Sequence, residues 1–390
     1  MSRTKLRSGF TTGSAAAAAA KAATLAWHAK AVPDPIDIPL PPGGRLDIPV
    51  QQAHCSDGSA WARVVKDGGD DPDATHKAEI KVTVTPRNNL DGERILLQGG
   101  RGVGTVTKPG LPIPPGEAAI NPAPRRQIKQ AVMEALSGAG PGESFLVVVE
   151  VEDGERIARR TMNQRLGIVG GISILGTRGT VEPYSSASYT GTIEAELDVA
   201  RAAGSREICL ATGGRSERFL REAFPWLPAE AFVLTADYFR FSLQEAAKRG
   251  FTCIHLGCFI GKLIKMAQGH PYTHAKYSRI DFQLLAKWAA SCNLARDVPP
   301  DIETANTARE VLELITPDPQ FKSFIAFLAD RALRTAQQFV DCRTRLSCSL
   351  FHFSGQLIHQ AGDLDRSKSQ EPGNGLGRRK PHCEKQGEDL

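Results

Sequence analysis

Apolar residues are spaced in two different ways along the 390-residue chain. Up to about residue 185, short apolar–polar alternations are broken by proline and glycine turns. Beyond it, helix-period segments take turns with short apolar runs. In the first part, Thr11 or Thr12 can cap a helix running through the alanines to about Lys30, alanine being the best helix former. Alternation predicts strands over 36–40, 46–50 and 60–66, and again at Ile80, Val82 and Val84. A further strand starts near Ile95. Pro124 suits a first helical turn, and Ile128, Ala131, Val132, Ala135 and Leu136 then mark one helix face. A buried strand follows over 145–151, and 156–161 is expected to extend it.

In the second part the pattern predicts helices over 186–203 and to about 224, 242–249, to about 268, 279–292, 303–315 and 320–340. Strands fall at 207–212, 232–235 and 253–256, and a hairpin over 349–358 turns at Ser354-Gly355. Alternating strands and helices of this length indicate a parallel sheet with right-handed crossovers. Such sheets bind ligands beyond the carboxyl ends of their strands. Those ends carry Gly213-Gly214-Arg215, Ala236-Asp237-Tyr238 and Gly257-Cys258-Phe259-Ile260-Gly261-Lys262. The fold class expected is α+β for residues 1–185 and α/β for 186–362. From 363 to 390 the polar, charged composition predicts disorder.

Composition narrows the function. No apolar run reaches membrane-spanning length, and no signal-peptide pattern opens the chain, so a cytoplasmic protein is expected. The net charge of +5 is mild, and aromatics are only 6% with no basic stripe among them, which disfavours nucleic acid. Eight scattered cysteines without a CxxC pair indicate reduced thiols. Cys253-x-His255-x-x-Cys258 has metal-ligand spacing, but no second cluster completes four ligands, and core packing is the expected role.

Candidate chemistry gathers in four stretches. Lys66-to-His76 crowds Asp67, Asp70, Asp71 and Asp73 beside Thr75 and His76. This is either a solvated turn or a source of acids and bases. Residues 95–138 hold a glycine-rich loop with Arg101 and Lys108, then Asn121, then Arg125 and Arg126 in a first helical turn. Cations there oppose the helix dipole unless they are exposed or an anion joins them to the free N–H groups. Residues 158–183 place Arg159, Arg160, Thr161, Asn163, Arg165, Ser173 and Thr177 among five glycines. That run fits either a domain junction or a ligand turn, and follows no phosphate-loop pattern. Finally, Thr273-His274 lies in a loop beside the expected rim.

LRSGFTTGSAAAAAAKAA, KDGGDDPDATH, GVGTVTKPGL…GEAAINPAPRRQI, ARRTMNQRLGIVGGISILGTRGTVEPYS, GCFIGKLIKMAQG and Thr273-His274, in this order, resemble the CbiD family of cobalt-precorrin-5B C-1-methyltransferases over roughly residues 5–360. Ala275-Lys276 stands where the family pattern has Ser-Arg, and Ala236-Asp237-Tyr238 differs from its Asn-Phe-Ile-Gly-like segment. The resemblance implies S-adenosylmethionine as methyl donor and a cobalt-bearing, ring-contracted tetrapyrrole as acceptor, in the early-cobalt route to cobalamin. It also implies an N-terminal domain resembling a permuted ribosomal S5 domain-2 fold, followed by a Rossmann-like parallel α/β domain with a helical C-terminal part. No protein-bound metal is expected, since the cobalt belongs to the substrate. Other corrinoid-pathway enzymes are candidate partners.

On that reading, His274, His76, Asp70, Asp71 and Asp73 are the candidates for the base or charge stabiliser. Arg101, Lys108, Asn121, Arg125, Arg126, Arg159, Arg160, Arg165 and Ser173 would face the acceptor and its carboxylates. Gly213, Gly214, Asp237, Gly257, Gly261 and Lys262 would hold the donor. Two rivals are a nucleotide-dependent transferase using the Gly261-Lys262 loop and a corrinoid carrier without catalysis.

Overall fold

A computed structural model of the chain describes residues 6–28, 30–87, 93–137 and 143–364. The tail expected to be disordered lies, from 365 onward, outside these residues. Two five-stranded sheets organise the rest. The first runs Gln52–Ser56, Ser59–Val65, Glu79–Arg87, Ser144–Val151, Ile95–Gly99, antiparallel except for the last pair. Its strands bury every second residue (Ala62 and Val64, Val82 and Val84, Val147 and Val149), as a sheet with one covered face must. The cover is the helix Thr12–Trp27, packed in turn on the helix Pro122–Ala135. Ala15 to Ala20, Ala22 and Ala23 are fully buried. With only a methyl on each, the helix can lie close to the sheet. Thr11 caps it, its side-chain oxygen accepting from the Ser14 N–H at 3.2 Å.

The second sheet runs Phe232–Leu234, Glu207–Ala211, Cys253–Cys258, Arg345–Phe351, all parallel, with Leu357–Gly362 antiparallel at the edge. From Glu207–Ala211 the chain moves outward to one neighbour and then back to the other. Strand order therefore reverses between Glu207–Ala211 and Cys253–Cys258, where open α/β sheets form their ligand crevice. One buried cluster draws on Phe10 to Ile174 and another on Ile193 to Phe351.

Four elements depart from the sequence expectation. Asp153 takes a left-handed φ of 54°, and the chain coils into the short helix Gly154–Ala158 where extension was expected. The helix expected over 303–315 is two, Val298–Thr304 and Ala308–Ile315. Thr307 caps the second by accepting the Glu310 N–H at 3.1 Å. The hairpin's first strand begins at Arg345 and is a central member of the parallel sheet. Gln52–Ser56 is a polar edge strand with no alternation to mark it.

The glycine-rich run is a junction built backbone on backbone. Gly171 pairs in register with Gly102, and a Cβ on Gly171 would stand 2.2 Å from the Gly102 carbonyl oxygen. A Cβ on Gly102 would stand 1.9 Å from the Val151 carbonyl oxygen. Ile120 bridges Ile174, and the Thr12 hydroxyl reaches the Ser173 carbonyl at 3.2 Å.

Candidate functional site

The carboxyl ends of the parallel strands form a rim. Gly213 and Gly214 leave Glu207–Ala211 and open the helix Gly214–Ala223; nothing lies within 4 Å of a Cβ placed on either. The helix Ile260–Ala267 starts beside it after Cys253–Cys258. Two helix N-termini with free N–H groups thus face the crevice. Gly257, expected at the donor, also has a packing task. Its Cβ would lie 2.3 Å from Leu220 Cδ1, so its bareness lets the helix Gly214–Ala223 close on the strand. A Cβ on Gly261 would meet Ala308 in ordinary contact at 3.4 Å. Phe259 stacks on Phe353 at 4.6 Å, with the Arg215 guanidinium over both rings.

Lys262, Asp237 and Thr273 form one polar knot on this rim. Lys262 pairs with the Asp237 carboxylate and donates to the Thr273 hydroxyl at 3.1 Å. Thr273 Oγ1 is 3.2 Å from Asp237 Oδ1, and its N–H donates to the Asp237 carbonyl at 3.0 Å. Burial, with Lys265 adding repulsion, pushes the Lys262 ammonium down to about 8. At that value it is still charged at neutral pH, where it pairs with the Asp237 carboxylate.

Beside the knot runs an aromatic wall that sequence reasoning missed. Tyr189 stacks on Tyr238 at 6.0 Å, Tyr238 meets Tyr272 at 5.0 Å, and Tyr272 lies nearly parallel to the His274 ring at 6.0 Å. Tyr277 closes the group, 5.9 Å from Tyr272 and 5.5 Å from His274. Burial and then Tyr238 push the Tyr272 phenol up to about 12, so it stays neutral. The sequence did hold a signal: all 5 tyrosines fall between 184 and 277.

The structure brings His274 to the rim but fixes its tautomer. Nδ1 accepts the Lys276 N–H at 3.1 Å, so the neutral ring carries its proton on Nε2 and donates there. His76 is arranged alike, Nδ1 accepting the Gly68 N–H at 3.0 Å. The acidic turn is tied to the backbone around it. One Asp70 oxygen accepts the Arg7 N–H at 2.6 Å and one of Asp71 the Tyr184 N–H at 2.8 Å. Asp73 holds the buried Lys66 ammonium at 2.5 Å and Thr75 through its N–H and hydroxyl at 2.7 and 2.6 Å. Lys66 and Thr75 hold the Asp73 carboxyl below its usual range despite its burial.

The seven expected acceptor-binding cations fall into two sets. Lys108 pairs with Glu230 at 2.7 Å. Arg125 donates to the Ile120 carbonyl at 2.8 Å and Glu117 at 3.1 Å. Arg165 is held by Glu196, Glu217 and the Phe232 carbonyl. Arg101, Arg126, Arg159 and Arg160 are exposed, and no hydrogen bond or ion pair is seen for their side chains among the described residues. Asn121 precedes the helix Pro122–Ala135 without a side-chain cap bond. Ser173 is buried, donating to Asn163 Oδ1 at 3.2 Å.

Comparison with known proteins joins these features to a family. The CbiD family model matches residues 1–183 and the CbiD C-terminal domain model residues 272–362. A curated relative from Nitratidesulfovibrio vulgaris, named cobalt-precorrin-5B C(1)-methyltransferase, is 45% identical over 92% of this chain and 94% of its own. One of the same name from Priestia megaterium is 40% identical over 92% of this chain and 96% of its own. A solved structure, the cobalamin biosynthesis protein cbiD of Archaeoglobus fulgidus, is 28% identical over 66% of this chain and 78% of that one, with a TM-score of 0.37. Identity of 40–45% with near-complete coverage in both directions means that this chain belongs to the CbiD family.

Proposed function

We propose that this chain methylates C-1 of cobalt-precorrin-5B to give cobalt-precorrin-6A, with S-adenosylmethionine as donor. The observation that carries this is 45% identity to a relative of that name, over more than nine-tenths of both chains. The rim suits such a donor. Open space over Gly213 and Gly214 leaves room for it between two helix N-termini, and N–H groups there favour its carboxylate. When bound, it supplies a methyl group on a sulfonium, activated toward an in-line nucleophile.

The chain's own residues have three tasks in this reading. The first is alignment, which alone can lower the barrier by several kcal/mol. Residues 1–185 would form the domain that contacts the acceptor, and 186–362 the one that holds the donor. The pairs Lys108–Glu230 and Arg165–Glu217 fix one against the other. The second is recognition of the acceptor's acetate and propionate groups. Arg101, Arg126, Arg159 and Arg160 have guanidinium groups to offer, whereas Lys108, Arg125 and Arg165 are committed to the protein. The third is water exclusion, for which the Tyr189–Tyr238–Tyr272 wall provides flat apolar faces matched to a planar macrocycle. His274, donating from Nε2, serves better as a hydrogen-bond donor to developing charge than as the base.

The test is calorimetric titration with S-adenosylhomocysteine, with and without the tetrapyrrole, beside a methyl-transfer assay. Binding that Gly213→Trp abolishes supports the rim as donor site. Absence of both binding and transfer with the tetrapyrrole present rejects the reading.

A further inference from the structure

The amino-terminal ends of the second sheet's inner strands, opposite the rim, carry a cluster that the rim does not use. Glu207, Cys253 and Arg345 begin three adjacent strands and are register partners. His255 and Ser347 stand two residues further along, also paired. Because side chains alternate along a strand, all five emerge on one face. Cys258 is five residues from Cys253 and so emerges on the other; the third group beside Cys253 and His255 is Glu207. The cluster looks into a cavity of about 230 Å³ walled by Phe224 and Trp226.

The distances suit a shared ion. Cys253 Sγ is 3.5 Å from His255 Nε2, which is 3.4 Å from Glu207 Oε2. An N···O contact of that length is a poor hydrogen bond. Ligands bonded at ~2.0–2.3 Å to one tetrahedral zinc stand ~3.3–3.6 Å apart. All three donor atoms lie within 4.8 Å of one another. On the far side of the ring, His255 Nδ1 sits 2.6 Å from Ser347 Oγ, the outer contact that turns Nε2 toward a metal. Arg345 approaches Glu207 at 3.6 Å and Asp363 at 3.7 Å, contacts loose enough to leave the Glu207 carboxylate able to turn toward an ion.

We propose that Glu207, Cys253 and His255 bind a borderline-soft divalent cation, Zn²⁺ fitting this mixed ligand set best, with water from the cavity as fourth ligand. Binding displaces the Cys253 proton to solvent, as thiol ligation requires. The ion joins Glu207–Ala211 to Cys253–Cys258 at their amino-terminal ends, away from the rim, a structural tie that methyl transfer does not touch.

The experiment titrates the chelator-stripped full-length protein with Zn²⁺ against a chromophoric competitor, and with Co²⁺ as a spectroscopic stand-in. The expected result is one ion per chain, a thiolate-to-cobalt charge-transfer band and a thermal midpoint raised by several degrees. Cys253→Ala should remove the band and weaken Zn²⁺ at least tenfold. Glu207→Gln, nearly the same shape, should weaken it similarly and keeps the test open if the cysteine variant misfolds. Zinc binding unchanged in both variants would mean adventitious capture by the exposed Cys55 or Cys342 and overturn the proposal. So would the absence of a charge-transfer band in the wild type.

Discussion

The guanidinium of Arg165 meets both carboxylate oxygens of Glu217, at 2.8 and 2.9 Å, while its Nε donates to Glu196 at 2.7 Å. Glu217 belongs to the helix whose N-terminus makes the rim, and Arg165 to the glycine junction. Burial works against the Arg165 charge, yet the two glutamates overcome it and hold its pKa up. Without Arg165, Glu217 keeps only the half-exposed Arg221, and the buried Glu196 carboxylate keeps only the Leu234 N–H; breaking a buried pair in this way costs about 3 kcal/mol. Arg165→Ala should therefore lower stability in urea by that order. An unchanged midpoint together with weaker acceptor binding would return Arg165 to the ligand.

Arg125 and Arg126 are neighbours with opposite allegiances. Arg125 satisfies the Ile120 carbonyl and pairs with Glu117, whereas Arg126 is exposed. Arg126→Glu should raise KM for the tetrapyrrole about tenfold, the worth of one charge-assisted contact, with donor affinity and thermal midpoint unchanged. Arg125→Glu should reduce stability first. If Arg126→Glu leaves KM alone, the acceptor does not use that helix start.

These two residues show where the sequence was readable. Alternation and helical periodicity found most strands and helices because each has one buried face, as in 59–65 and 122–135. Periodicity could not find the break at Ala305-Asn306-Thr307, since Ile302 and Val311 are both buried on either side of it. Nor could it tell a free arginine from a paired one. The partners of Arg165 lie 31 and 52 residues away, and only the tertiary fold brings them in. The glycines were visible, but their reason was not, because backbone contact between Gly102 and Gly171 depends on two distant strands. Strand parity, applied to Cys253, His255 and Cys258, would have separated the third from the first two.

Acid should undo the turn at Lys66–Asp73. Asp73 has a folded pKa below its ordinary 3.8 because Lys66 and Thr75 stabilise the anion against its burial. The sign follows from linkage. A depressed carboxyl contributes stability that is complete above the unfolded value and lost as pH falls through the folded one. Asp67, lowered by Arg7, works in the same direction. Wild-type stability should fall steeply below about pH 4. Asp73→Asn should be less stable at neutral pH and lose less on acidification. Parallel acid limbs in wild type and variant would show that other groups govern the transition.

Lys262 sets a limit at the alkaline end. Its ammonium holds Asp237 and Thr273 in place on the rim and titrates at about 8. Donor affinity should be flat through neutrality and weaken as pH rises through that value. Lys262→Arg keeps its charge far beyond it, so its profile should stay level to ~pH 9. The measurement is the Kd of S-adenosylhomocysteine across the range. A wild-type profile level through the same interval would separate the knot from the donor.

Gly213 and Gly257 end adjacent strands and look alike in sequence, but they should fail in different ways. A methyl at Gly257 would stand 2.3 Å from Leu220 Cδ1 and 2.4 Å from its Cγ, so Gly257→Ala forces the helix Gly214–Ala223 off the sheet. Overpacking of this kind costs about 1–3 kcal/mol. Leu220→Ala in the same chain makes room, and the double variant should be more stable than the sum of the two single losses. Gly213 has nothing within 4 Å of its Cβ position, and its φ of 173° is extended backbone open to any residue. Gly213→Ala should leave the thermal midpoint where it is, and Gly213→Trp should weaken S-adenosylhomocysteine at an unchanged midpoint. Were Gly257→Ala harmless to stability but damaging to donor affinity, the glycine of Cys253–Cys258 would be the ligand contact after all, and the donor would sit one strand over from Gly213.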